Sequence, residues 1–264
     1  MSVRAEGLLA KNWFTPQAID AAGDESDWCP HPRVQARVTT RRGDLSPPPW
    51  QGFNLGLNCE DDRQRVLAAR EQVSAAIGAH SPVWLTQVHG NRVITAPSEE
   101  AQTVPEADGA VTRETGRPCA VLTADCLPVL IARNDGSAVG ALHAGWRGLL
   151  DGVLENGVAA LAGTTADIHA WLGPAICCRC YQVDDTVREA FVRHSQSAAS
   201  GFSADGPGHW RMDLGVLARQ RLLAAGVTSI SGGDLCTHCR ADLFYSFRHE
   251  GVTGRFATII WLLG

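Results

Sequence analysis

Cys119-Ala120-Val121-Leu122-Thr123-Ala124-Asp125-Cys126-Leu127-Pro128-Val129-Leu130-Ile131-Ala132-Arg133-Asn134-Asp135-Gly136 decides how this chain folds. Cys119–Thr123 and Leu127–Ala132 are apolar runs of strand length, and neither alternates apolar with polar residues, which is the pattern of strands covered on both faces. Cys126 stands in the break between them. Asn134-Asp135-Gly136 is a strong hairpin signal, so Ala138–His143 returns as the next strand. Beyond His143 a helix opens at Arg147, with Leu149, Leu150, Val153, Leu154, Val158 and Leu161 as its apolar face.

Working outward, the same mixture continues. Upstream, Pro47-Pro48-Pro49 marks a surface turn that neither a helix nor a central strand accommodates. Asn54–Asn58 follows as a loop, and Asp61-Asp62 caps a helix predicted over 63–79, with Val66, Ala69, Val73 and Ile77 at helical spacing. Val83-Trp84-Leu85 and Arg92–Thr95 read as strands flanking His89, and Ala107–Thr112 as a turn into a short strand. Downstream, a strand is predicted over 168–172, a helix over 184–194, a Ser/Gly/Pro-rich loop over 195–209, a helix over 213–225, and strands over 227–231, 244–247 and 256–263. Residues 1–33 read as packed loops with one strand at most. Many strands, interspersed helices and few regular βαβ units predict a single α+β domain with mixed or antiparallel sheets, residues 39–264, carrying residues 1–38 as an extension packed on it.

Composition narrows the function classes. With 45% hydrophobic residues, the 264-residue chain can bury a substantial core. A net charge of −5 without a basic run argues against a nucleic-acid groove. No apolar stretch is long enough to span a bilayer, and Met1–Gly7 lacks the apolar core of a signal peptide. A cytoplasmic protein with reduced thiols is therefore the expectation for its nine cysteines, acting on a small-molecule substrate as a monomer or weak oligomer.

The chemistry concentrates in Thr86-Gln87-Val88-His89-Gly90, Thr123-Ala124-Asp125-Cys126-Leu127-Pro128 and His143-Ala144-Gly145-Trp146-Arg147-Gly148. Each of His89, Cys126 and His143 alone reads equally well as a structural residue. Together they supply two imidazoles and one thiolate, a donor set for Zn²⁺ or copper with one position open. On zinc this trio leaves a charge of about +1, and a bound water can be brought to a pKa of roughly 7. A blue-copper site adds a weak axial Met, and neither Met1 nor Met212 lies near these motifs in sequence. The His-x-Glu and Pro-Cys-x-x-Cys elements of zinc nucleoside deaminases are absent, so no motif identifies a general acid or base. Asp125 is a candidate, and a turn-holding side chain is an equal reading. Arg147 in Gly-Trp-Arg-Gly, at a helix start, is suited to an anion or an ion pair. Arg41, Asn54, Gln87 and Arg248 are candidates for a substrate pocket. No P-loop, dinucleotide fingerprint or nucleophile elbow occurs. Cys177-Cys178-Arg179-Cys180 and Cys236-Thr237-His238-Cys239 form a rival metal set, or a group of packed thiols.

These motifs carry a resemblance. Thr-Gln-Val-His-Gly at 86–90, Ala-Asp-Gly at 107–109, Thr-Ala-Asp-Cys-Leu-Pro at 123–128, His-Ala-Gly-Trp-Arg-Gly at 143–148, Leu-Gly-Pro-Ala-Ile at 172–176 and Phe-Tyr-Ser-Phe-Arg with Thr-Gly-Arg at 244–255 resemble the signatures of one bacterial family. That family is the laccase-like multicopper polyphenol oxidases, also called purine nucleoside phosphorylases, with peptidoglycan-editing members. The resemblance runs from about Thr39 to Leu263. It implies an α/β/β/α sandwich likened to cysteine hydrolases, and zinc held by His89, Cys126 and His143, with copper as the alternative. It also implies one of several activities: phosphorolysis of adenosine, inosine and methylthioadenosine, with phosphate as co-substrate; adenosine deamination; phenol oxidation; or amide hydrolysis on peptidoglycan precursors. This sequence departs from the family pattern at Arg41-Arg42-Gly43-Asp44, at Cys177-Cys178 where Gly-Pro is usual, and at Tyr181-Gln182-Val183 where an acidic residue is usual. Those departures bear on the substrate and leave the metal trio intact.

Overall fold

The computed structural model describes residues 12–19, 25–97 and 103–264. In chain order these form β1 (Trp13–Phe14), β2 (Gln17–Ile19), β3 (Glu25–Asp27), β4 (Val34–Thr39), α1 (Arg63–Ile77), β5 (Val93–Thr95), β6 (Gly109–Thr112), β7 (Cys119–Thr123), β8 (Leu127–Arg133) and β9 (Val139–Ala144). There follow α2 (Trp146–Asp151), α3 (Val153–Leu161), β10 (Ile168–Leu172), β11 (Gln182–Asp184), α4 (Asp185–His194), β12 (Phe202–Ala204) and β13 (His209–Met212). The chain closes with α5 (Leu214–Ala224), β14 (Ser229–Gly232), α6 (Phe247–Glu250) and β15 (Phe256–Leu262).

The strands sort into two principal sheets, a four-stranded one in the order β1-β4-β15-β7 and a six-stranded one in the order β14-β10-β8-β9-β6-β5. Side-chain alternation shows how they stack, since successive residues of a strand point to opposite faces. In β15, Phe256, Ile260 and Leu262 pack with Leu130, Ala132, Val139 and Ala141 of the other sheet, while Ala257, Ile259 and Trp261 pack with Ala69 and Val73 of α1. In β8, Leu127, Val129 and Ile131 pack with Leu154, Val158, Phe191 and Leu217 of α3, α4 and α5. The layers therefore run helix, sheet, sheet, helices, which is the α/β/β/α sandwich of a mixed α+β domain. The missing alternation in β8 and β15 follows, because both their faces are covered.

Local chemistry sets the ends of elements. The Asp62 carboxylate accepts from the Gln64 and Arg65 amides at the start of α1, and Gly78 ends it in a left-handed conformation. Antiparallel β8 and β9 are joined across the Asn134-Asp135-Gly136 turn, and the β10–β14 and β5–β6 pairs are parallel.

Several expectations are corrected. The apolar run after His143 breaks into α2 and α3 at Gly152, whose φ of 97° is left-handed. Val83–Leu85 contributes only one isolated bridge, Val83 to Cys119. Phe244 and Tyr245 are fully buried without entering a ladder, and Phe247 starts α6, where the Ser246 hydroxyl accepts from the His249 amide. The 195–209 segment contains a 3₁₀ turn at Gln196–Gly201 and β12. Three short strands lie within the described part of residues 1–33, and β4 sits inside the four-stranded sheet. Among the described residues no helix is long and apolar enough to cross a membrane.

Candidate active site

β7 belongs to one principal sheet and β8 to the other, so the chain changes layers at Ala124-Asp125-Cys126. The change is tight enough to put Asp125 at a φ of 102°. Cys126 stands at this crossing. His143, near the end of β9, lies on the strand face that carries Val139 and Ala141, the face turned to the other sheet. His89 comes from a turn at a φ of 62°, a conformation that costs a non-glycine residue about 1–3 kcal/mol and persists only where its surroundings hold it.

Asp108 holds it. One carboxylate oxygen accepts from the His89 amide at 2.9 Å and from His143 Nδ1–H at 2.8 Å. The other accepts from the amides of Gly90 at 2.7 Å and Val88 at 3.3 Å. A single fully buried carboxylate thus fixes both the backbone under one imidazole and the ring orientation of the other. The outcome is that one donor atom each from His89, Cys126 and His143 lie within 4.8 Å of one another, with the two imidazoles edge to face at 4.8 Å between centroids. Gly145 leaves room here: a Cβ would stand 3.1 Å from both Cys126 Sγ and the His89 ring, tighter than an ordinary contact.

Charge follows from the same contacts. Burial pushes the Cys126 thiol up, but hydrogen bonding and charge from His143, then from His89, outweigh it and bring the thiol down to about 6. Burial pushes His143 down, but Asp108 and Cys126 outweigh it and raise the imidazole to about 9. Burial likewise works against the Asp108 carboxylate, yet the His143 hydrogen bond and the Gly90 and Val88 amides hold it below the usual range. Without metal the trio therefore rests as a thiolate beside an imidazolium, near neutral pH. With metal, the donor set of two imidazoles and a thiolate is that of a zinc or copper centre with an open position, and Asp108 is the carboxylate partner that metal-bound histidines commonly have.

The trio lies in the wall of a cavity of about 650 Å³, which is also lined by Arg63, Arg70, Arg248, Arg255, Tyr181 and Leu85. Of the residues expected from sequence, Gln87, Asp125 and Arg248 line it too. The Gln87 amide donates to the Leu122 carbonyl and accepts from its N–H, clasping β7. Both Asp125 oxygens are occupied, one by the Thr237 hydroxyl at 2.6 Å and one by the Arg248 amide at 2.7 Å. This is the geometry of a residue that holds a turn. The Arg248 guanidinium lies over the Tyr181 ring at 5.1 Å and donates to the Gln182 carbonyl.

Three expected pocket residues do not line this cavity. Arg41 pairs with Glu250 at 2.6 Å and lies over Tyr245, lining a separate cavity. Asn54 is fully buried and structural, accepting from the Gly56 and Arg255 amides and donating to Asp61. Arg147 is exposed and stacked over Trp146. Conversely, sequence reading passed over Asp108, Arg63, Arg70 and Tyr181. Asp108 was visible only as part of a turn. Arg63 and Arg70 are two helical turns apart on α1, a spacing that puts them on one face.

Comparison with known proteins agrees with this architecture. A family model described as multi-copper polyphenol oxidoreductase laccase matches residues 35–263. A purine nucleoside phosphorylase of Xylella fastidiosa is 45% identical over 249 residues, covering 90% of this chain and 95% of the relative. Purine nucleoside phosphorylase YfiH of Escherichia coli is 44% identical over 236 residues, covering 89% and 96%. Among solved structures, a Neisseria meningitidis protein of the DUF152 family superposes with a TM-score of 0.89 at 40% identity, covering 96% of this chain and all 100% of that one. YlmD from Geobacillus stearothermophilus superposes with a TM-score of 0.84 at 30% identity, covering 97% of each chain. On sequence, fold and the match along nearly its whole length, the chain belongs to the multi-copper polyphenol oxidoreductase laccase family, whose curated relatives carry the name purine nucleoside phosphorylase.

Proposed function

We propose that the chain is a zinc-dependent purine nucleoside enzyme that cleaves adenosine, inosine and methylthioadenosine with phosphate and deaminates adenosine. The observation that carries the reading is the His89, Cys126 and His143 donor set in the wall of an arginine-lined cavity. The cavity volume of about 650 Å³ is in the range of small-molecule sites. His89, Cys126 and His143 would hold the metal, and the space left beside Cys126 and His89 by Gly145 supports that fit. When bound, zinc supplies Lewis acidity and a water of lowered pKa.

The chain's own residues account for binding and orientation. Arg63, Arg70 and Arg255 offer cationic and hydrogen-bonding groups to an oxyanion such as phosphate. Tyr181, Leu85 and Phe247 offer aromatic and apolar surface to a purine. In phosphorolysis a phosphate oxygen bonds to the ribose C1′ as the bond from C1′ to the base breaks, and the base leaves with a proton. In deamination water replaces the exocyclic amine, which leaves as ammonia.

A second reading rests on a specific contact. Cys126, His143 and Asp108 form a chain of thiol, imidazole and carboxylate, the order of nucleophile, base and orienter in covalent acyl transfer. That order supports an amide hydrolase acting on cell-wall precursors, in which Cys126 Sγ bonds to the carbonyl carbon, the C–N bond breaks as the amine leaves with a proton from His143, and water then releases the acyl group as a carboxylate and frees the thiol. The experiment is to measure metal in protein purified without added metal, then assay it on adenosine with and without phosphate. Bound zinc, with adenine appearing only when phosphate is present and inosine in either case, is the expected result. Both products should be lost in Cys126→Ala, together with the metal of the His89, Cys126 and His143 centre. Zinc without nucleoside turnover moves the assignment to amide hydrolysis. Copper with oxygen consumption on phenols moves it to a laccase activity, and absence of metal overturns the centre.

A further inference from the structure

The edge of the six-stranded sheet holds a second cluster that the catalytic reading does not use. β10 and β14 are parallel neighbours, so the loops that follow them leave the same end of the sheet side by side. Their pairing continues beyond the strands: Ala175 bridges to Cys236, the Ala175 amide donates to the Leu235 carbonyl, and the Thr237 amide donates to the Ala175 carbonyl. Each loop carries a Cys-x-x-Cys pair, and the topology brings all four sulfurs together. Those of Cys177, Cys180, Cys236 and Cys239 lie within 4.8 Å of one another.

We propose that Cys177, Cys180, Cys236 and Cys239 form a tetrathiolate zinc site that pins these two loops. Zinc–sulfur bonds of about 2.3 Å in a tetrahedron place sulfurs about 3.8 Å apart. Cys177 Sγ to Cys180 Sγ is 3.7 Å and Cys180 Sγ to Cys239 Sγ is 3.5 Å. Both are far longer than the bond of about 2.05 Å in a disulfide. Two of the four sulfurs already have N–H donors beside them. The backbone amides of Cys177 and Cys239 both donate to Cys236 Sγ, at 3.3 Å and 3.4 Å, and the Arg179 side chain donates to Cys177. Four thiols lose their protons on binding, and the Arg179 guanidinium offsets part of the resulting negative charge. Cys178, inside the first pair, stays out of the cluster, as does His238, whose ring packs on His249 at 4.8 Å. Among the described residues no histidine or carboxylate joins the four sulfurs, and four protein thiolates filling all four positions is the pattern of a structural zinc.

The site bears on the cavity through its neighbours. Tyr181, next to Cys180, lines the cavity wall, and Thr237, next to Cys236, is the donor to Asp125. The clip therefore holds two loops whose next residues meet the wall and the crossing that carries Cys126.

The test is elemental analysis of the full chain purified under reducing conditions without added metal. The Cys180→Ser, Cys239→Ser double variant should lose about one zinc per chain relative to wild type, while Cys178→Ser should lose none and Cys126→Ala should keep this zinc. Cobalt provides a readout that survives a poorly folding double variant. Cys126→Ala loaded with Co²⁺ should show the intense thiolate-to-cobalt charge transfer and visible bands of a tetrathiolate centre. Unchanged zinc in the double variant, or a cobalt spectrum of Cys126→Ala without those bands, overturns the proposal. Loss of all zinc in Cys126→Ala also overturns the proposal, whereas loss of the second zinc with this one retained bears only on the His89, Cys126 and His143 centre, so the two sites fail separately.

Discussion

At the scale of single residues, Asp108 organises the site. It receives three backbone amides and one imidazole, so Asp108→Asn removes the charge that orients His143 while keeping nearly the same shape. The expected result is a loss of zinc affinity of about 10–100-fold, measured by competition with a chromophoric chelator, with the protein still folded by circular dichroism. The charge pattern of the metal-free site makes a second prediction. With its thiol brought down to about 6, Cys126 in metal-stripped protein should alkylate with iodoacetamide along a pH profile whose midpoint is near 6, and Asp108→Asn should shift that midpoint upward. A midpoint near the 9.0 of an ordinary thiol would sink the ion-pair description. The clustering of His89, Cys126 and His143 could be read from sequence because these residues sit in short dense motifs. Asp108 could not, since its partners are the amides of a turn remote in sequence, and nothing in Ala107-Asp108-Gly109 says where the carboxylate points. Asn54 and Arg41 were misplaced for the converse reason: polar residues near a motif satisfy buried backbone as readily as they face a pocket.

At the scale of elements, the strands and helices that bury a face were legible, and those defined by neighbours were not. The Asn134-Asp135-Gly136 hairpin and the Asp62 cap each carry their cause in sequence. The aromatic run at Phe244–Phe247 looks like a strand by propensity, but tertiary packing buries Phe244 and Tyr245 outside any ladder. The docking of α2 against the His89 turn depends on a close approach of the same kind: a Cβ on Gly148 would collide with the Gly90 carbonyl. Gly148→Ala should therefore force α2 and that turn apart. The expected destabilisation is about 1–3 kcal/mol, seen as a lower midpoint in urea, with weaker zinc binding in the same variant. An unchanged midpoint and affinity would show that the turn yields at no cost.

At the scale of the whole molecule, the core between the two sheets supports the site as well as the fold. Leu130 is fully buried there with Val121, Phe256 and Ile260. Leu130→Ala should cost about 2–5 kcal/mol in equilibrium unfolding, and a loss below about 1 kcal/mol would place the main interlayer contact elsewhere. The α+β class followed from many strands with interspersed helices and few regular βαβ units, whereas the assignment of β7 and β8 to different sheets did not, since adjacent apolar strands in sequence usually pair. That assignment has a mechanical consequence. Because Cys126 sits where the backbone steps from one sheet to the other, while His143 is rooted in only one of them, any shear of the layers changes the spacing between sulfur and imidazole. The coordination geometry is then only as stiff as the apolar slab between the sheets, and a cavity opened in that slab should broaden the spectrum of a metal probe before it lowers the amount of metal bound.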